Sequence, residues 1–497
     1  MRNLDRRVRG RSAFLFLALT VAAAQGARAD EPVPPSLEER MRDFDRQMNE
    51  MKQRLAALTP APPPAAAPAP FEWGDFTWMN GANRQTSNLL DSRYFTPQLD
   101  VDVNYTYSFN HPIDDTVVGS TALARNNELE ISFIGLGGDF HAGQVRARLM
   151  LQYGTRVTIV PRNDTSANRG EFDLATAYRY ISEGYVGYHF DWLHGVNVDA
   201  GIFMSYVGLF SYDNFENWGY QPSFTSDNTP WFFNGLRIQI FPTDRLKIEI
   251  WIINGWQSYG KFNDLPGAGY QVRYAPREWA NFVSNGYVGT DTQDHPGRVR
   301  VHSDSSALFR YVQRSSSNGV SRGALSVTFD IGFEQGDGVQ AFSGSGSEGH
   351  CTIATPCEQD FVSAMAYNRL WFWRNQLAWT IGGGFIHNPG RYLVLVPTGV
   401  AATTFDTNPG TQFDGWDVST TFDWMPSEQI TFRFELVHRE AAENYFAGHG
   451  GVTGPDGYKC GGLNSADSTI SSCAPAGWVP DLVKSESRFI AALIFRI

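Results

Sequence analysis

The chain has 497 residues, of which 42% are hydrophobic, 14% aromatic and 19% charged, and its formal net charge is −12. Without the six arginines and one aspartate of residues 1–29 the net charge is −17, which argues against a nucleic-acid partner because phosphate binding needs a positive face. Beyond residue 30, polar residues interrupt every apolar stretch, so no segment supplies the roughly 20 apolar residues of a transmembrane helix.

The first 29 residues carry the features of a signal peptide. A basic start precedes an apolar run over residues 13–24 and the small-x-small site Ala27-Arg28-Ala29, an order typical of secretory signals. We therefore expect residues 1–29 to be removed and the mature chain, from about Asp30, to be exported.

The next element is a predicted coiled-coil helix within residues 30–59. Ser36 and Glu39 have the spacing of a capping box. Apolar residues then alternate at steps of four and three, which indicates a heptad seam; they are Leu37, Met41, Phe44, Met48, Met51, Leu55 and Leu58. Residues 60–70 consist only of Pro and Ala and predict a stiff linker. Since a lone helix of this length is marginal in water, we expect residues 36–59 to form a homotrimer in the periplasm.

From residue 95 onward the pattern is that of long strands. Between residues 99 and 109, six apolar residues alternate strictly with polar ones, a length suited to a strand that spans a membrane rather than to a soluble sheet. Similar alternation covers 145–153, 246–252, 325–333, 416–424, 431–436 and 489–497. These segments predict an all-β fold in residues 71–497, an antiparallel transmembrane β-barrel.

Short and long connections alternate between the predicted strands. Tight turns are predicted at 137–139, 191–194, 242–244, 373–375 and 426–428, and long connections at 155–177, 204–230, 255–304, 334–360, 388–413 and 439–482. Such alternation is typical of outer-membrane barrels with short periplasmic turns and long external loops. We expect about 14 strands, with 12 or 16 as alternatives because segment 71–79 and the long connections are ambiguous.

Four cysteines remain in this exported chain, and they predict disulfides rather than a metal site, since ligand spacing is lacking. Three pairings are open; the local one, Cys351 with Cys357 and Cys460 with Cys473, is favoured because each pair lies in one predicted loop.

The sequence contains no H-E-x-x-H or phosphate-binding loop motif. We therefore predict neither an enzyme nor a cofactor. Only about 25 residues separate the linker from the first strand, too few for the globular plug of an energy-driven receptor.

The polar faces of the strands predict a lumen with charges of both signs. The candidate pore-lining residues are Arg146, Arg148, Arg237, Lys247, Glu249, Asp330, Arg433, Glu435 and Arg439, and Asp100, Asp102, Asp417 and Arg488 should also point inward. Facing charges across a narrow pore discriminate among small solutes and ions, whereas cross-strand ion pairing is the alternative role. The group Arg433, Glu435 and Arg439 is the predicted constriction.

Several motifs resemble those of the OmpL-like β-barrel porins of outer membranes. They are GIFMSYVG (201–208) with NW (217–218), PW (230–231) with NG (234–235), NGW (254–256), GWD (415–417) with WMP (424–426), TFRFE (431–435), VHR (437–439), NYF (444–446) and GGVT (450–453). The resemblance covers most of residues 70–497 and implies a channel in the outer membrane of a Gram-negative bacterium. The chain departs from that family in ending on Ile497 where many such barrels end on Phe.

Passive diffusion of small polar solutes or ions is accordingly the predicted function, with outer-membrane lipid as the surroundings. A closed structural or adhesive barrel is the alternative, and a barrel hydrolase is a weaker one.

Overall fold

The computed structural model describes residues 36–58, 69–79, 81, 85, 88–161, 164, 169–314, 317–347, 350–392, 412–458 and 478–497. The predicted signal peptide, most of the linker, Cys460 and Cys473 lie outside these residues. The chain divides into two units at residues 66 and 67, and each is described by itself.

The first unit contains helix α1, Leu37–Leu58. Its capping box is formed: the Ser36 amide donates to the Glu39 carboxylate at 2.8 Å, and the Glu39 amide donates to the Ser36 hydroxyl at 3.3 Å. The seam residues Leu37, Met41 and Phe44 are 61–76% exposed, so one copy of the helix leaves its apolar stripe uncovered.

The second unit is a closed antiparallel barrel of sixteen strands. Its strands are β1 (Phe95–Ser108), β2 (Leu129–Ala142), β3 (Val145–Tyr153), β4 (Ile181–Phe190), β5 (Val196–Met204), β6 (Phe232–Thr243), β7 (Leu246–Ile253), β8 (Gly267–Arg277), β9 (Ala280–Gly289), β10 (Val299–Gln313), β11 (Val320–Gln335), β14 (Asp360–Phe372), β15 (Leu377–Asn388), β16 (Phe413–Trp424), β17 (Ile430–Ala441) and β20 (Ser485–Arg496). Pairing of β1 with β20 closes it, from Asp100 opposite Arg496 to Ser108 opposite Arg488.

Two short sheets lie in the long connections. The strands β12 (Val339–Gln340) and β13 (Cys357–Glu358) pair in parallel, and β18 (Phe446–Ala447) pairs with β19 (Leu482–Val483) in antiparallel fashion. A disulfide joins Cys351 to Cys357. The remaining α-helices are short, α2 (Arg156–Ile159), α3 (Leu174–Tyr178) and α4 (Phe224–Asp227), and no helix among the described residues is long and apolar enough to cross a membrane.

The strands alternate between an apolar outer face and a polar inner face. In β1, Asp100 and Asn104 are each only 1% exposed, while outward residues such as Leu136 on β2 and Leu493 on β20 are 53% and 42% exposed. This is the reverse of a soluble protein and matches a barrel whose outside contacts lipid. The predicted transmembrane β-barrel is confirmed.

Short turns and long loops alternate at the two ends of the barrel, called below the short-turn end and the long-loop end. Two predicted connections were wrong. Residues 137–139 lie within β2, and the turn follows at Gly143; residues 255–304 contain the hairpin of β8 and β9. That hairpin supplies the two strands by which the observed sixteen exceed the expected fourteen. The segment 71–79 forms turns and a 3₁₀ helix, Thr77–Met79, rather than a strand.

Candidate functional site

Residues 205–231, which connect β5 to β6, lie inside the barrel and are called the inserted segment. A 3₁₀ turn, Asn214–Glu216, and helix α4 give the segment local structure, and Ser223 caps α4 by accepting a hydrogen bond from the Ser226 amide. Every residue from 217 to 231 is buried. Since buried main-chain polar groups need partners, the barrel wall has to supply them.

Arg433 on β17 binds the first half of the inserted segment by its main chain. Its Nη1 donates to the carbonyls of Asn214 and Gly219 at 3.0 Å each, and its Nη2 donates to the carbonyl of Asn217 at 2.8 Å. Asp423 on β16 pairs with it, the Nε–Oδ1 distance being 2.8 Å. A buried guanidinium thus replaces water as the partner of several carbonyls at once.

Two more side chains extend this anchorage. Arg369 on β14 donates through Nη1 to the carbonyl of Trp218 at 3.1 Å and through Nη2 to Asp423 at 2.6 Å. Glu435 on β17 accepts the amide hydrogens of Tyr220 and Gln221 at 2.6 and 2.9 Å. Donors and acceptors on the barrel wall therefore bind main-chain carbonyl and amide groups of the inserted segment.

The far half of the inserted segment is held through α4. Asp417 on β16 accepts the Phe224 amide hydrogen at 2.8 Å. Arg439 on β17 pairs with Asp227 at 2.8 Å and lies over the Phe224 ring at 3.9 Å.

The structure thus brings together the three residues of the predicted constriction, Arg433, Glu435 and Arg439. All three point inward, and all three are covered by the inserted segment and bonded to it.

A second connection, residues 109–128, packs beside the inserted segment. Arg488 on β20 donates to the carbonyl of Val118 at 2.5 Å and to the side-chain oxygen of Gln221 at 2.9 Å. The Thr121 amide donates to Asp227 at 2.9 Å. A hydrophobic cluster completes this side of the lumen; it contains Val117, Ala122, Leu123, Phe215, Tyr220, Val437, Ile490, Ala492 and Ile494.

The chain before β1 enters the barrel from the short-turn end. Residues 69–79 and Gly81 are called the N-terminal segment. The indole of Trp73 donates to the carbonyl of Asp244 at 3.1 Å, and that of Trp78 donates to the carbonyl of Glu278 at 3.0 Å; both acceptors lie in short turns. The Gly81 amide donates to the carbonyl of Glu216 at 2.8 Å, so this segment reaches the inserted segment.

Asp75 fastens the N-terminal segment electrostatically. Its carboxylate lies 2.9 Å from Arg322 on β11 and 3.5 Å from Arg310 on β10. Burial raises the pKa of Asp75, but the hydrogen bonds from Thr77 and the two guanidinium charges outweigh burial, and the pKa lies below its ordinary value.

A cavity of about 400 Å³ remains in the lumen. The inserted segment forms one wall, with Tyr206, Leu209, Phe210, Ser211, Tyr212, Glu216, Asn217, Trp218 and Trp231. The barrel forms the other, mainly with Lys247, Gln271, Arg273, Asn281, Val283, Ser306, Leu308 and Ser326. An aromatic surface therefore faces a polar, basic one.

Lys247 on β7 and Arg273 on β8 are direct cross-strand neighbours on the inner face. The Lys247 ammonium lies 2.7 Å from Glu249, two residues along the same strand. Arg273 donates through Nε to the Asn281 side chain at 2.9 Å, and its guanidinium stacks over the Phe71 ring at 4.6 Å. Arg273 pairs with no carboxylate among the described residues.

The other predicted lumen residues form cross-strand pairs. Asp199 on β5 lies 3.2 Å from Arg146 and 2.8 Å from Arg237. Arg148 pairs with Asp139 at 2.8 Å and also with Glu183.

The remaining inward acids have similar local partners. Asp330 lies 3.2 Å from His302, and Asp100 lies 3.5 Å from Arg496. Asp102 accepts from the Asn214 side chain at 2.9 Å and from the Tyr220 hydroxyl at 3.0 Å. No group of three His, Cys, Asp or Glu residues in the described part of the chain is arranged to hold a metal ion.

Sequence reasoning missed Arg369, Arg273 and the inserted segment itself. Arg369 lies in β14, and Arg273 lies in the hairpin that had been interpreted as a loop. The alternation of outward Ala268, Tyr270, Val272 and Tyr274 was the signal that could have identified β8.

Comparison with known proteins identifies one sequence family. The family described as "Putative beta-barrel porin-2, OmpL-like" matches residues 95–458. No curated protein matches the chain.

Solved structures that match the chain include three bacterial proteins. The channel DcaP of Acinetobacter baumannii is 10% identical with a TM-score of 0.44, over 82% of this chain and 99% of its own. The anion-selective porin from Comamonas acidovorans is 10% identical with a TM-score of 0.44, over 81% and 99%. OprB of Pseudomonas putida is 9% identical with a TM-score of 0.47, over 81% and 94%. Sequence identities of 9–10% give no information about the solutes of this chain.

Proposed function

This chain belongs to the putative beta-barrel porin-2, OmpL-like family, and we propose that it is a passive channel whose bore is narrowed by the inserted segment. Small polar solutes or ions diffuse between that segment and the wall formed by β7–β11. The cavity of about 400 Å³ between these two surfaces carries the proposal, because it is space that the inserted segment leaves open beside the barrel wall.

The lining of this space suits hydrated solutes. Ser205, Ser211, Asn217, Gln271, Asn281, Ser306 and Ser326 offer neutral polar groups. Lys247 and Arg273 on the barrel wall face Glu216 on the inserted segment. Opposed charges across a constriction orient dipolar solutes and discriminate among ions.

The barrel belongs to the outer membrane, and we place its short-turn end at the periplasm. Short turns on that side are the general arrangement of bacterial outer-membrane barrels. The N-terminal segment enters at this end, so helix α1 belongs to the periplasm in this proposal.

The helix supports a homotrimer formed through residues 36–59. Its seam follows heptad spacing, and Leu37, Met41, Phe44 and Met51 are 61–76% exposed in one copy. Burial of such a stripe is what drives coiled-coil association.

A closed structural barrel is the second candidate function. It is favoured by the amount of protein in the lumen, since the inserted segment, residues 109–128 and the N-terminal segment all lie inside. In that case the long loops, rather than the bore, would carry the activity.

Single-channel conductance of the folded protein in a planar bilayer separates these functions. We expect stable stepwise openings, grouped in threes if the trimer forms. A protein whose mobility on unheated gels shows a folded barrel, yet which conducts no current, would favour the closed barrel instead. The variant Arg277→Gln serves as a control. Arg277 is an exposed arginine at the end of β8, so this substitution should leave the conductance unchanged.

A further inference from the structure

The opposition of Lys247 and Arg273 is unusual within this lumen. The other inward arginines described above each have a carboxylate partner, whereas Arg273 has none and lies opposite a second cation, Lys247, across β7 and β8. Like charges directly opposite on neighbouring strands destabilise a sheet. The pairing of these two cations therefore lowers the stability of the sheet. Both side chains line the cavity.

The nearest carboxylate is fully engaged elsewhere. Glu249 binds Lys247 at 2.7 Å, and it also accepts hydrogen bonds from Gln239 at 2.7 Å and from the Trp251 indole at 3.0 Å. It forms its ion pair with Lys247, and Arg273 has no carboxylate within ion-pair distance among the described residues. Among the described residues that line the cavity, Glu216 is the one acid, and it lies 3.6 Å from Arg496.

Arg273 is oriented rather than mobile. Its Nε donates to Asn281 at 2.9 Å, and its plane stacks over Phe71 of the N-terminal segment at 4.6 Å. Stacking and one fixed hydrogen bond reduce the freedom that a ligand would otherwise have to remove. The other N–H groups of the guanidinium donate to no acceptor among the described residues.

The opposite wall of the cavity is rich in aromatic rings. Tyr206, Phe210 and Trp218 contribute ring surface. The hydroxyls of Tyr206 and Tyr212 are already used, donating to the Gly286 carbonyl at 3.0 Å and to the Gln152 side chain at 2.8 Å. These two tyrosines therefore present ring surface, rather than free hydroxyl donors, to the cavity.

We propose that Lys247 and Arg273 form a binding site for a small monocarboxylate with an aromatic body, the carboxylate pairing with Arg273 and the ring packing against the inserted segment. A guanidinium binds a carboxylate through two parallel hydrogen bonds. The cavity volume of about 400 Å³ lies within the roughly 300–1,000 Å³ of small-molecule sites. One carboxylate on the solute balances the charge of Arg273. A second carboxylate on the solute would be repelled by Glu216, which also lines the cavity.

This inference rests on the proposed channel and names its solute class, and the experiment keeps the two separate. Isothermal titration of the detergent-folded protein measures binding without any current. The probes are phenylacetate and its neutral counterpart phenylacetamide. We expect phenylacetate to bind at least roughly tenfold more tightly, since hydrogen bonds to charged groups exceed neutral ones by that order.

The variant Arg273→Gln should lose that preference for the acid, while Arg277→Gln, a substitution at an exposed residue on the same strand, should keep it. Equal affinity for acid and amide in the unaltered protein would overturn the site, and this comparison stands whether or not Arg273→Gln folds. Retention of the preference by a folded Arg273→Gln would overturn it as well. A protein that binds phenylacetate but conducts no current would contradict the channel and leave the site intact.

Discussion

The guanidinium of Arg433 lies 2.8 Å from the main-chain carbonyl of Asn217, which joins the barrel wall to a segment that crosses the lumen. The inserted segment is thus held largely by its backbone, and two of the wall side chains that bind it, Arg433 and Arg369, share Asp423 as their ion-pair partner. Its position depends on a few residues of β14, β16 and β17.

Arg433→Gln should loosen the inserted segment. The change removes bonds to three carbonyls and one partner of Asp423, and breaking a buried ion pair costs about 3–5 kcal/mol. We expect a lower unfolding temperature, and a larger or noisier single-channel conductance. Arg314→Gln, at an exposed turn residue, should change neither; equal conductance in both variants would show that Arg433 does not control the bore.

Gly81→Ala should displace the N-terminal segment. A Cβ atom at Gly81 would lie 1.8 Å from the Asn217 carbonyl oxygen, and overpacking of this kind costs about 1–3 kcal/mol. Proteolysis between residues 69 and 81 should become faster. Gly319→Ala provides the control, since the nearest atom there is a flexible serine hydroxyl at 3.5 Å; similar cleavage rates in the two variants would argue against the close contact.

Attachment of the N-terminal segment should weaken in acid. The pKa of Asp75 is lowered in the folded state from its ordinary 3.8, so its contribution is present above that value and is lost as the pH falls through the folded pKa. The difference in unfolding temperature between the unaltered protein and Asp75→Asn should be largest near neutral pH and vanish toward pH ~2. A difference that does not depend on pH would exclude this ionisation as the cause.

Disulfide mapping should find Cys351 linked to Cys357. These residues are six apart in the sequence, and their connection lies outside the barrel strands, so we expect Cys351→Ser with Cys357→Ser to fold into the same barrel. Loss of so small a loop closure should cost no more than about 3 kcal/mol. Mass spectrometry of unreduced peptides also tests the predicted Cys460–Cys473 pair; a peptide joining Cys351 or Cys357 to either of these would refute the local pairing.

Charges in the seam of α1 should dissociate the trimer. Phe44→Glu with Met48→Glu places carboxylates in the apolar stripe, whereas Gln47→Glu with Asn49→Glu adds the same charge beside it. Light scattering in detergent should give a smaller mass for the first pair alone. An unchanged mass would place the oligomer contacts, if any, outside the helix.

The wall of the barrel could be predicted from sequence because it depends on local alternation. Leu99, Val101 and Val103 face outward and Asp100 and Asp102 inward along β1, as their spacing requires.

Gly137 is predicted to lie in a turn because of its residue type, but it lies inside β2. A Cβ atom at Gly137 would lie 1.8 Å from the Leu149 carbonyl oxygen, so this glycine permits close strand approach within β2. The strands β8 and β9 also contain glycines, and β8 contains Pro276. Because these residue types are typical of turns, the hairpin was not predicted.

The site itself could be predicted only in part. Alternation correctly placed Arg433 and Glu435 on the inner face, but nothing local indicates that residues 205–231 turn into the lumen and cover them. Their partners lie on strands that are distant in sequence, and such pairings leave no periodic pattern.

That distance has a consequence for assembly. The bonds from Arg433 and Glu435 to the inserted segment span 214–219 residues of chain, so they cannot form until the last strands are in place. Contacts with such long closures form late in folding. The inserted segment therefore narrows the bore only once β17 has joined the barrel. Before that step, the segment lacks its anchors on Arg433 and Glu435.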